Sequence, residues 1–177
     1  MKGQPHLLNI FDLYSDPSTR VPTDGHIDYP HNSRTFVRDL YIVTRYVDTD
    51  LSAYLHADSG LSSSEYQYIL FQLLRGAQNL HDTVHLSVGD IQPTKIVGQQ
   101  STKEFMYTTF GLVDEARLSF RPPERLHLEV SLSDYCSSDI WTIGCLFAAL
   151  LCRKSSFFEG DSVHELETDI VRKLGWK

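Results

Sequence analysis

The chain has 177 residues, 41% of them hydrophobic and 22% charged, the balance of an ordinary soluble globular protein long enough to bury a core. Its 23 acidic and 16 basic residues leave a net charge of −7, which argues against general affinity for nucleic acid or an anionic membrane, because phosphate binding needs a basic face. The three cysteines (Cys136, Cys145, Cys152) form no C-x-x-C pair, and no apolar run reaches the roughly 20 residues of a membrane span, so buried, reduced thiols in a cytoplasmic or nuclear protein are expected.

The opening MKGQPHLLNIF lacks the continuous apolar core of a signal peptide. Leu7 to Leu13 (LLNIFDL) suits a strand. Residues 15–34 collect Pro, Ser, Asp, Gly, His and Asn without periodicity and predict a long exposed loop. LYIVTRYV, Leu40 to Val47, is β-branched and aromatic and predicts a second strand, so the two form a hairpin around the loop. Asp50 to His56 (DLSAYLH) suits a short helix. Ser62-Ser63-Ser64-Glu65 is a capping box opening a longer one. Tyr66, Ile69, Leu70, Leu73, Leu74, Ala77 and Leu80 follow at three- and four-residue steps, one buried stripe of a helix ending near His81.

His85 to Gly98 reads HLSVGDIQPTKIVG, a turn with an Asp and a Pro feeding a short apolar strand, and Phe105–Thr108 predicts another short strand. After Pro122-Pro123, Ser138 or Asp139 is placed to cap a helix that is apolar almost all round, IWTIGCLFAALLC, which belongs at the centre of a domain. Val163 to Leu174 is a last amphipathic helix. Two strands and then a largely helical body make an α+β fold. The eight histidines show no H-E-x-x-H or other metal spacing, and there is no G-x-S-x-G nucleophile elbow.

Several of these segments resemble the eukaryotic protein kinases, and within them the mitogen-activated protein kinases. LYIVTRYVDTDL is similar to their strand and hinge, and LSSSEYQYILFQLLRGAQNLH to the helix before the catalytic loop. Phe110-Gly111-Leu112 resembles the end of D-F-G-L, Arg121-Pro122-Pro123-Glu124 resembles R-A-P-E, and Asp139 to Cys145 resembles D-I-W-S-V-G-C, all in family order. The resemblance implies a kinase-like fold, mainly the helical large lobe with the last two small-lobe strands and hinge. Residues 1–177 would form a single partial domain trimmed at both ends, with small-lobe strands in 7–47 and the large lobe in 48–177. The sequence holds no glycine-rich G-x-G-x-x-G loop and no V-A-I-K-type lysine.

Against the family pattern H-R-D-L-K-P-x-N, Asp90 matches the base that accepts the substrate proton. Gln92 replaces the lysine, Lys95 replaces the magnesium-binding asparagine, and Gly89 replaces the arginine. One extra residue separates His81 from Asp90, and Thr109 stands at the magnesium-binding aspartate of D-F-G. An ammonium offers donors and no acceptor, so Lys95 cannot coordinate a cation. The resemblance places Thr44, Arg45, Tyr46, Val47 and Val97 at the hinge and adenine pocket. It gives structural roles to Glu124, which would pair with an arginine such as Arg153, to Asp139, which would tie the central helix to the loop backbone, and to Trp141. The expectation is a catalytically inactive domain with no cofactor, acting as a scaffold or regulator. Its partner would be a kinase or a linear peptide docked between the Asp50–His56 helix and the long helix, and neither nucleic acid nor membrane is expected to bind. A competing reading is an active serine/threonine kinase using Asp90, ATP and magnesium, and a third is a kinase-gene fragment without independent function.

Overall fold

The computed structural model describes residues 5–15, 19–20, 40–55, 60–89, 91–108, 118–126 and 135–175. The chain divides into two compact units, one containing Leu8–Tyr46 and the other Gln4–Leu7 with Val47–Lys177.

In the first unit, β1 (Ile10–Ser15) lies between β2 (Thr19–Arg20) and β3 (Leu40–Thr44) in an antiparallel sheet. Tyr14 pairs with Tyr41 and Leu13 with Ile42, and the register slips between Ile10 and Asp12. The hairpin expected from Leu7–Leu13 and Leu40–Val47 is therefore present with shifted ends. β3 stops at Thr44, and the loop expected at 15–34 falls almost wholly outside the described residues.

The second unit holds the large core. α1 (Ser63–Asn79) starts at the capping box: Ser62 Oγ accepts from Glu65 N, and the Glu65 carboxylate accepts from Ser62 N at 2.8 Å. Ile69, Leu73, Gly76 and Ala77 face inward. Leu74, expected in that stripe, is 40% exposed. At Gly76 an added Cβ would sit 2.9 Å from the Tyr107 ring and 3.2 Å from His6 Cβ, so glycine lets the helix close onto its neighbours. The sheet here runs β4 (Thr49–Asp50), β5 (Ile96–Gln99), β6 (Glu104–Tyr107), all antiparallel. Leu7 adds a parallel bridge to Tyr107. The segment expected as a helix at Asp50–His56 is a single 3-10 turn, Leu51–Tyr54, because Asp50 caps it at Ser52 N and the turn closes after four residues. His56 lies outside the described residues.

α2 (Tyr135–Cys152) begins three residues before Ser138, the first of the two predicted caps, and α3 (Val163–Leu174) matches the amphipathic stretch expected there, with Ser162 as its N-cap and a left-handed Gly175 at its end. Ile143, Leu146, Ala149 and Leu150 of α2 are fully buried with Ile69, Leu73, Phe105, Phe120 and Leu166. Truncating one such leucine costs about 2–5 kcal/mol in a well-packed core, so this cluster is the unit's main source of stability. Cys145 is buried and its thiol is pushed up to about 12 by burial, whereas Cys152 is exposed, against the expectation for all three thiols. Among the described residues no helix is long and apolar enough to cross a membrane.

Candidate functional site

Asp139 organises the loop. It does not cap α2, since it lies within the helix, and its carboxylate is 1% exposed. Oδ2 accepts from Val88 N at 2.7 Å and meets His81 Nε2 at 2.8 Å, while Oδ1 accepts from Gly89 N at 3.0 Å. A buried carboxylate is costly unless hydrogen-bonded, and these three contacts are what makes its burial tolerable. Gly89 has φ of +82°, in the left-handed region where a side chain would strain the backbone. The glycine found there in place of the family's arginine therefore suits the local turn. Asp90, the next residue, lies outside the described residues, as do Thr109, Phe110 and Gly111.

The extra residue between His81 and the loop has a structural counterpart. α1 continues into a π-helical turn, Leu80–Val84, ended by His85 at φ 55°, whose N–H returns to Leu80 O. A π turn carries one more residue than an α turn. The surplus is thus taken up beyond α1, and His81 still reaches Asp139.

On the other side of Asp90, Ile91 is buried and Pro93–Lys95 forms a 3-10 turn with Pro93 at its first position. The Lys95 carbonyl accepts from Thr108 N at 3.1 Å and from Thr108 Oγ1 at 2.8 Å. This joins the loop to the end of β6, next to Thr109. Val97 pairs with Met106 on one side and Asp50 on the other. Thr44, Arg45 and Tyr46 close the first unit, with Tyr46 80% exposed, and Val47 opens the second. Gln92 is half-buried. The described residues hold no group of three or more His, Cys, Asp or Glu able to bind a metal, and Lys95 brings a cation instead of a ligand.

The structural residues behave unevenly. Trp141 stacks on Phe158 with centroids 5.8 Å apart and planes at 13°. Thr142, beside it, donates to Phe120 O at 3.1 Å and so holds 118–126 against α2. Glu124 is exposed in the Pro123–Arg125 turn and forms no pair with Arg153, whose guanidinium lies over Gly60. Arg153 is therefore not the partner of Glu124.

A second feature lies beside the Leu51–Tyr54 turn. Between the Leu51–Tyr54 turn, the start of α1 and the β5–β6 turn is a cavity of about 250 Å³, lined by Thr49, Tyr54, Leu61, Glu65, Gln100 and Lys103 among others. Gln72, a polar residue on the buried face of α1 that periodicity does not single out, ties that helix to the β5–β6 turn and β6. Its Nε2 donates to Lys103 O at 2.9 Å and its Oε1 accepts from Phe105 N at 2.8 Å.

Comparison with solved structures finds a mitogen-activated protein kinase from Leishmania major with a TM-score of 0.74 and 22% identity, matched over 99% of this chain and 45% of that one. The fold is that of a protein kinase. Curated relatives include mitogen-activated protein kinase 5 of Arabidopsis thaliana, 31% identical over 150 residues covering 78% of this chain and 38% of the relative. Mitogen-activated protein kinase 3 of the same plant is 31% identical over 185 aligned positions, 90% of this chain and 49% of the relative. Extracellular signal-regulated kinase 1 of Dictyostelium discoideum is 29% identical over 157 residues, 81% of this chain and 29% of the relative. The chain spans less than half the length of these relatives. No protein-family model matches it. The chain corresponds mainly to the large-lobe region of the kinase fold with a few strands, and is similar to mitogen-activated protein kinases.

Proposed function

We propose that this kinase-like domain has lost phosphoryl transfer and works by binding other proteins. The observation that carries the reading is Lys95, a cation at the position matching the family's magnesium-binding asparagine, in a turn whose backbone is fixed by Thr108. Phosphoryl transfer depends on positioning and on metal ions that bridge the β- and γ-oxygens. Losing one such stabilising group typically costs ~10²–10³ in rate, and Gln92 and Thr109 depart from the family pattern as well. What the chain retains is scaffold: Asp139, Thr142 and Trp141 hold loop and helix together without chemistry. The docking surface in this reading is the cavity beside Tyr54 and Leu61.

Retention of Asp90 at the end of an anchored loop favours a second reading, an active serine/threonine kinase. One experiment separates the two. The chain is melted with and without excess ATP and magnesium, and phosphate incorporation into a generic protein substrate is followed in parallel. Ligand at about 100 times its dissociation constant adds roughly 2.7 kcal/mol. The expected result is a cooperative melt that ignores nucleotide and no incorporation. A nucleotide-dependent shift with incorporation that disappears in Asp90→Asn would establish the enzyme instead.

A further inference from the structure

We propose that the open edge of β3 pairs antiparallel with β3 of a second copy of this chain, joining two three-stranded sheets into one. The surface is one that the reading above does not use. Among the described residues β3 has a neighbour on one side only, β1, and β2 pairs on the other side of β1. An edge strand leaves a row of backbone donors and acceptors that a further strand satisfies, and proteins normally blunt such edges with charge, proline or a bulge. β3 has none of these. Leu40-Tyr41-Ile42-Val43-Thr44 holds no charged residue and no proline, and the register slip of this sheet falls on β1, between Ile10 and Asp12.

Both faces of this strand are open as well as its edge. Leu40 is 58% exposed and Tyr41 and Ile42 53%, with Val43 and, on β1, Phe11 and Tyr14 exposed beside them. Three short strands with apolar side chains in water on both faces are a marginal unit, and further strands extend the ladder and cover the flanks of those side chains. The pattern of the edge names a second copy as the strand that adds. A two-fold axis at Ile42 sets Ile42 against its own counterpart, Tyr41 against Val43 and Leu40 against Thr44, with no charge in any pair. Leu13 already pairs with Ile42 and Tyr14 with Tyr41. One face of the joined sheet then carries an unbroken row of Leu13, Ile42 and their counterparts, and the other a row of Tyr14, Tyr41 and Val43. In the sequence, Asp39 precedes the strand and Arg45 follows it, so an antiparallel copy meets unlike charge at each end, where a parallel copy would meet like charge. A five-residue contact is small beside the roughly 1,600 Å² of a standard interface, so the association is weak and depends on concentration.

The test is sedimentation velocity of the full chain over about 1–200 µM, a range that a contact of this size should populate. The expected result is a reversible shift from monomer to dimer as concentration rises. Ile42→Lys sets two ammonium groups across from each other at the axis and should raise the dissociation constant at least ~10-fold. Cysteine pairs then read the register in a Cys136→Ser, Cys152→Ser background. Ile42→Cys should cross-link with itself under mild oxidation, and Leu40→Cys should cross-link when mixed with Thr44→Cys and not alone. Should Ile42→Lys fail to fold, these smaller changes decide the matter. A monomer throughout the range, a dimer undiminished by Ile42→Lys, no cross-link at position 42, or Leu40→Cys chains that join each other as readily as they join Thr44→Cys would each overturn the inference.

Discussion

At the scale of single residues the loop is decided by one carboxylate. Asp139 satisfies two amides and an imidazole from segments 50–58 positions upstream, an arrangement that no local pattern reveals. Sequence reading took the residue for a possible cap because an acid before an apolar run normally is one. The resemblance gave it that cap together with a tie to the loop backbone, and only the tie is found. Asp139→Ala leaves buried donors without a partner, and a loss on the order of 3 kcal/mol is expected. Asp139→Asn keeps one acceptor and should lose less. Amide exchange at Val88 and Gly89 should accelerate in both variants, more in the alanine, and unchanged exchange would show that the loop stands without the anchor. Gln72 was invisible for a related reason: its partners lie 31 and 33 residues away, so a polar residue on an apolar stripe looks like a flaw in the pattern.

Individual elements were legible where both ends carried signals. α3 runs from Ser162 to Gly175 because a serine cap and a left-handed glycine bound it, and α1 begins at its capping box. The segment at Asp50 looked helical by composition but has only a start signal, and it closes as one turn. α3 also carries a pH-sensitive tie. Burial alone would raise the Asp169 carboxyl, but hydrogen bonds from Lys173, Glu159 N and Arg172 outweigh it and hold the group well below the usual carboxylate range. A carboxylate depressed in the folded state contributes stability that is complete above its unfolded value, near 3.9, and is lost as pH falls toward the folded one. The melting temperature of the chain should therefore decline more steeply below about pH 4 than that of Asp169→Asn. Parallel acid profiles would refute the tie.

For the whole molecule, the resemblance carried most of the fold, because its matches follow the family in order along the large unit that holds the core. The finer chemistry of the site was less accessible, since Asp90 and Thr109 can be named in the sequence while their surroundings are not described. Between His81 and Asp90 the chain carries one residue more than the family pattern, and the π turn at Leu80–Val84 lies in that interval. Deleting the exposed Thr83 should restore an ordinary helical turn and leave the melting temperature within a few degrees. Deleting Phe71, also exposed, would turn the rest of α1 by roughly 100°, bury the wrong face and abolish the cooperative melt. Equal effects of the two deletions would refute this account.

The wide turn has a consequence for how such chains are found. It works as a splice in a measured cable, letting length change between two fixed fittings without moving either. With one residue more between the helical histidine and the loop, His81, Val88 and Gly89 still arrive at the same carboxylate. For proteins that have drifted this far, the shared anchor point is a steadier mark of kinship than the count of residues leading to it.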